Sequence, residues 1–235
     1  MRAPKAIVFD KDGTLFDFAR TWENWADAFL KRLTADPGRA SALGREIGFD
    51  VSTKRFAPTS VAIAGTPEDV VDALAPHVAH LSRSDLVSLI NAEAARAPQM
   101  EVVPLLPFLR GLRARGLFLG VVTNDAEIPA RAHLQSAKVL SVFDFIAGSD
   151  SGYGAKPHPG QLEAFADAVS IAPPDAIMVG DSTHDLIAAQ RAGMVGVGVL
   201  TGLAEAETLS PFAEIVLPDI GHLPAWLDAQ FGPSN

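Results

Sequence analysis

Asp10 and Asp12 stand two residues apart in Phe9-Asp10-Lys11-Asp12-Gly13-Thr14-Leu15, directly after the apolar run Ala6-Ile7-Val8-Phe9. The run reads as a buried β-strand. Both carboxylates therefore fall where a strand ends and a glycine-bearing loop begins. In open α/β sheets that edge is where ligands bind. A carboxylate placed there can act as a covalent nucleophile toward phosphorus, and a second one at i+2 can move protons. The pair points to phosphoryl transfer, on condition that the chain also supplies a cation and donors to phosphate oxygens. The plainer alternative is an acidic turn in which Asp and Gly serve backbone geometry.

Three later segments meet that condition. Val121-Val122-Thr123-Asn124 ends a β-branched apolar run with a hydroxyl and a backbone N–H, both able to donate to a phosphate oxygen. Thr and Asn also suit an ordinary strand-to-loop transition. Lys156, in Gly154-Ala155-Lys156-Pro157-His158-Pro159, would offset repulsion between Asp10 and an incoming phosphate. A lysine in a proline-rich loop is more often solvated, and His158 reads as a loop residue. Val179-Gly180-Asp181-Ser182-Thr183-His184-Asp185 places carboxylates at i and i+4 where a third strand meets a helix. N-capping by Ser182 or Asp181 is compatible with that placement, and His184 reads as exposed. Four acids in one cleft repel unless a cation joins them. With no cysteine in the chain, oxygen ligands favour Mg²⁺.

These segments resemble the four motifs of the haloacid dehalogenase superfamily: Asp-x-Asp-Gly-Thr-Leu at 10–15, Thr123-Asn124, Lys156-Pro157, and Gly180-Asp181 continuing through Asp185 to Gly193. They occur in the family's order, each at a predicted strand end. The resemblance implies a Rossmann-like α/β core, a parallel sheet with helices on both faces, and an inserted all-helical cap domain like that of phosphoglycolate phosphatase-like hydrolases. It implies that Asp10 forms an aspartyl-phosphate and that Asp12 protonates the leaving oxygen and then activates water. Asp10, Asp181 and the Asp12 backbone carbonyl would hold Mg²⁺, with Asp185 acting through water or another residue. Thr123, Asn124 and Lys156 would hold the phosphoryl oxygens, Gly13 would let the loop approach phosphate, and Thr14 would fix the loop. Lys11 departs from the family, which often has an apolar residue there. Its side chain is expected to point away from Asp10 and Asp12.

The elements that must position these residues divide the chain. Strands are expected at 5–10, 117–123, 143–148, 176–180, 195–200 and 214–217, alternating with helices at 108–115, 131–137, 161–169 and 185–192. That alternation argues for a parallel sheet. Between the first strand and the rest, helical periodicity dominates. Apolar residues of 21–33 recur at helical spacing, Thr66-Pro67-Glu68-Asp69 opens a second helix and Ser84-Asp85 a third. The expected division is a core of 1–16 and 101–235 and a cap of 17–100. Trp22 and Trp25 read as cap packing, and Lys54-Arg55-Phe56 as a loop able to meet a second anionic group.

Composition bounds the function. The apolar share of 48% suits a globular core. No run approaches a membrane span and no secretory stretch opens the chain, so the cytoplasm is the expected compartment. A net charge of −9 disfavours nucleic acid. The expected partner is a small phosphorylated metabolite, with phosphoglycolate one candidate among sugar and nucleotide phosphates. A phosphomutase of the same superfamily and a non-catalytic phosphometabolite-binding protein are the alternatives. Asp12 argues against dehalogenase and phosphonate chemistry, whose family members lack Asp there.

Overall fold

The computed structural model describes residues 2–57 and 59–232, with side chains except at positions 20 and 64. Met1, part of the opening read as lacking a secretory stretch, and residues 233–235 of the expected core lie outside the described residues. The chain begins with β1 (Ala6–Phe9), followed by α1 (Phe18–Leu33) and α2 (Pro37–Glu46). A short pair, β2 (Phe49–Asp50) and β3 (Arg55–Phe56), leads to α3 (Val61–Ala64), α4 (Pro67–Leu74) and α5 (Arg83–Ala94). Alternation then sets in: α6 (Leu105–Ala114), β4 (Phe118–Val122), α7 (Glu127–Ser136), β5 (Phe145–Ala147), α8 (Gly160–Ala168) and β6 (Ala176–Gly180). It ends with α9 (Thr183–Ala192), β7 (Val195–Val199), α10 (Ala206–Leu209), β8 (Ile215–Leu217) and α11 (Leu223–Phe231).

Six strands form one parallel sheet in the order β5-β4-β1-β6-β7-β8. Strand β1 lies between β4 and β6, with Phe9 level with Val121 on one side and Val179 on the other. This register brings Asp10, Thr123 and Asp181 to one edge, at the strands' carboxyl ends. One sheet face packs on Leu105, Leu109 and Leu112 of α6 and Leu223 and Trp226 of α11. The other packs on Leu162 and Phe165 of α8 and Ala188 and Ala189 of α9. Covering both faces explains why the central strands are apolar throughout rather than alternating.

A separate apolar cluster joins α1, α2, α4 and α5, including Trp25, Phe29, Leu43, Val71, Leu74 and Leu86. It forms the helical cap. Here α4 starts as its sequence predicts: Thr66 caps it, Asp69 completes the capping box and Pro67 occupies the first turn. Helix α5 opens at Arg83 because Ser82, not Ser84, accepts the Asp85 N–H. The antiparallel β2–β3 pair has no signal in the periodicity, since two residues per strand cannot display alternation. The two passages between cap and core run side by side. Asp17 N–H donates to the Met100 carbonyl (2.9 Å) and Val102 N–H to the Leu15 carbonyl (3.0 Å).

Candidate active site

The carboxyl ends of β1 and β6 and the first turn of α9 bring Asp10, Asp181 and Asp185 together. Each is buried, and one oxygen from each lies within 4.8 Å of the others. Lys156 enters from the loop before α8 and is itself 4% exposed. Its Nζ donates to Asp10 Oδ1 (2.6 Å), Asp185 Oδ1 (2.6 Å) and the Val122 carbonyl (3.1 Å). The loop lysine is thus buried and fully used.

One ammonium among three carboxylates leaves excess negative charge. Burial pushes Asp10 up to about 7, with Asp185 and Asp12 adding to the rise and Lys156 opposing it. Burial, then Asp10 and Asp185, likewise hold Asp181 well above the usual carboxylate range. Burial opposes the Lys156 ammonium, yet Asp10 and Asp185 outweigh it and shift the lysine upward. A hard divalent cation fits this donor set, because it removes the repulsion that the protein's own charges leave. Asp185 has little spare capacity: Oδ1 meets Lys156, and Oδ2 accepts from the Ser182 N–H (3.0 Å) and hydroxyl (2.6 Å). Ser182 caps α9 in return, so capping and acid placement coexist.

Backbone fits closely around Asp181. Gly13 has φ +81°, and a Cβ there would lie 2.4 Å from Asp181 Oδ2. On the opposite side a Cβ at Gly202 would lie 1.6 Å from the same oxygen. Thr14 donates to Asp181 Oδ1 at 3.5 Å, and the Thr201 hydroxyl donates to the Gly13 carbonyl at 2.6 Å. Thr201 and Gly202 carry no local sequence signal; only the β1–β6–β7 arrangement brings them here. Thr123 is buried, accepts the Asp125 N–H (3.0 Å) and lines the cleft. The Asn124 side chain accepts from the Lys156 N–H (2.8 Å) and donates to the Lys156 carbonyl (2.9 Å), so it fixes the lysine loop.

Lys11 corrects one expectation. Its side chain turns toward Asp12, with Nζ 2.8 Å from Oδ1 and 2.7 Å from Oδ2. Nζ also lies 3.2 Å from Asp125 Oδ2 and 3.0 Å from His133 Nδ1, and 5.3 Å from the Trp22 ring centroid. Residue 11 is fully buried, and burial of a lysine is tolerated when acceptors surround it. An ammonium only donates, so His133 Nδ1 accepts and Nε2–H donates to the Ala94 carbonyl at 2.7 Å. Burial, then Lys11, push His133 down to about 4. Burial pushes Asp125 up to about 6, with Lys11 opposing. Sequence reasoning passed over Asp125 and His133, since nothing near them in the chain marks them.

Asp10, Asp12, Thr123, Asn124, Lys156, Asp181 and Asp185 all line one cleft beneath the cap. His184, half-buried, also faces it. Trp22 and Trp25 both pack the cap cluster and line the cleft. Lys54 and Arg55 do not line it: Lys54 pairs with Asp27 (2.8 Å) and Arg55 with Glu23 (3.2 Å). His158 stays in its loop and accepts the Gly160 N–H.

Acids, one buried lysine and strand-end donors under a helical lid define a class of enzymes built to handle a charged ester group. The haloacid dehalogenase-like hydrolase model matches residues 4–193, and the chain belongs to that family. A phosphoglycolate phosphatase of Rhodospirillum rubrum is 32% identical over 232 residues, covering 95% of this chain and 91% of its own. One from Xanthomonas campestris pv. campestris is 30% identical over 231 residues, covering 96% and 99%. A solved structure described as a predicted phosphoglycolate phosphatase from Haemophilus somnus 129pt aligns with TM-score 0.71 at 20% identity, over 95% of this chain and 97% of that one, and shares its fold.

Proposed function

We propose that this hydrolase cleaves a small phosphate monoester with Mg²⁺ through an aspartyl-phosphate on Asp10. It is a phosphoric monoester hydrolase of the phosphoglycolate phosphatase-like kind, and its relatives' names support that class. The observation that carries the mechanism is the cluster of Asp10, Asp181 and Asp185 around Lys156. Asp10, Asp181 and the Asp12 carbonyl would hold Mg²⁺, which when bound neutralises charge on the phosphoryl oxygens.

An Asp10 carboxylate oxygen attacks phosphorus while the bond to the ester oxygen breaks. Asp12 gives its proton to that departing oxygen. Water then attacks the phosphoryl group, Asp12 takes a proton from it, and the Asp10–phosphorus bond breaks to release phosphate. The Thr123 hydroxyl and the Asn124 backbone N–H hold the phosphoryl oxygens in line, and the Lys156 ammonium beside Asp10 offsets the charge of the incoming phosphate. Residues 17–100 act as a cap domain over the core of 1–16 and 101–235 and exclude bulk water during transfer.

With Mg²⁺ and a generic aryl phosphate, Asp10→Asn is expected to lose phosphate release by roughly 10³-fold or more, with its melting temperature preserved. Appreciable turnover by that variant would remove Asp10 from the nucleophile's role. Isomerised sugar phosphate without net release would instead mark a phosphomutase.

A further inference from the structure

The cleft has two unlike walls. The core wall carries the acids and Lys156. The cap wall is built from Phe18, Trp22, Trp25, Ile63, Val70 and Ile90. Building on the phosphatase reading, we propose that the group esterified to phosphate is uncharged and apolar, an aromatic or bulky aliphatic alcohol, and not the carboxylate-bearing group of phosphoglycolate.

Charge argues for this first. Among the described residues that line the cleft, Lys156 is the only lysine or arginine, and its three donors meet Asp10, Asp185 and Val122. Lys11, 5.3 Å from the Trp22 ring centroid, is fully buried, with its ammonium engaged by Asp12, Asp125 and His133. His184, the remaining cleft residue able to carry positive charge, belongs to α9 on the core side. A carboxylate brought to the cap wall would lose its hydration and meet no counter-charge among the described side chains there.

Backbone donors do not replace the missing cation. Helix α4 begins at the cleft, yet its Thr66 N–H already donates to Asp69 (2.7 Å), and the Asp69 N–H to Thr66 Oγ1 (3.3 Å). Pro67 has no N–H, and Glu68 and Asp69 make the first turn acidic. That helix end repels a second anion.

The tryptophans supply the positive half of the argument. Trp25 stacks on Phe29 with centroids 5.1 Å apart, and Trp22 meets Trp25 edge-on at 5.3 Å. A wall braced this way offers area without losing rotamer freedom on binding. Both indole Nε1 atoms are buried and have no acceptor among the described residues, as suits rings packed into the cap.

The test compares kcat/KM for 2-phenylethyl phosphate and phosphoglycolate with Mg²⁺. The arylalkyl ester is expected to lead by about tenfold or more; a ratio at or below one overturns the proposal. Ile63→Arg, which adds a cation to the half-buried edge of the wall, should reduce that ratio by about tenfold. An unchanged ratio in a folded Ile63→Arg protein also overturns it. Asp10→Asn separates the two readings, because titration calorimetry then compares binding of the two esters without turnover. Tighter binding of 2-phenylethyl phosphate supports the apolar wall even where no ester is hydrolysed, a result that would sink only the phosphatase. Tighter binding of phosphoglycolate sinks the wall alone.

Discussion

Lys11 and Asp12 are neighbours in sequence, but the acceptors that hold Lys11 are not. Asp125 and His133 arrive from the far side of β4, and with Asp12 they surround one ammonium. Removing the charge by Lys11→Met strands the buried Asp125 and frees Asp12 to move. Stability should fall by about 3–5 kcal/mol in urea unfolding. In steady-state assays kcat should drop about 10²-fold with KM little changed, as misplacement of a proton-transfer group predicts. Gly202 tests the proposed metal end of the site. A methyl there would displace Asp181, so Gly202→Ala should weaken Mg²⁺ affinity by roughly 10–100-fold in a metal titration. At this scale the sequence was legible wherever a motif was local. Asp10, Asp12, Asp181 and Asp185 share the expected cleft. The direction of Lys11 was not legible, because acceptors more than a hundred residues away decide it.

Among the elements, strand ends carry the chemistry and one helix-to-helix contact ties the lid to it. His133 on α7 donates to the Ala94 carbonyl at the end of α5 while accepting from Lys11. Its folded value of about 4 lies below the ordinary 6.5. Between those values the unfolded chain binds a proton that the folded protein refuses. The stability due to neutral His133 is therefore full above pH 6.5 and is lost as pH falls toward 4, on the order of 2–3 kcal/mol. Gln can accept from Lys11 and donate to Ala94 yet does not titrate, so His133→Gln should lessen the loss of stability, read from the urea midpoint, as pH falls across that window, leaving the opposite dependence of the raised Asp125. Element legibility followed signal strength. Strand β6 matched its apolar run and α4 its capping box. Helices α2 and α11 were missed, the first because its small residues Gly38, Ala40, Ser41, Ala42 and Gly44 give little apolar periodicity. Helix α6 begins three residues before the expected Phe108, because the Glu101 side chain reaches forward to accept the Leu105 N–H (2.9 Å).

For the whole molecule, an acidic total of −9 is felt most at one point, where three buried carboxylates share one lysine. Any cation that binds there stabilises the folded state by mass action. Mg²⁺ at about a hundred times its dissociation constant should add about 2.7 kcal/mol, or roughly 5–10 °C in melting temperature for a chain of this size. A chelator should reverse the shift, and Asp181→Ala should abolish it. Among the described residues no helix is long and apolar enough to cross a membrane.

The paired crossings between lid and base set how the enzyme can admit its guest. Two adjacent peptide segments laced by Asp17–Met100 and Leu15–Val102 contacts flex like a leather strap but resist being slid lengthwise. Lid and base are thereby held in register along this edge, so the proposed closure of the cap over its substrate has a fixed hinge line here.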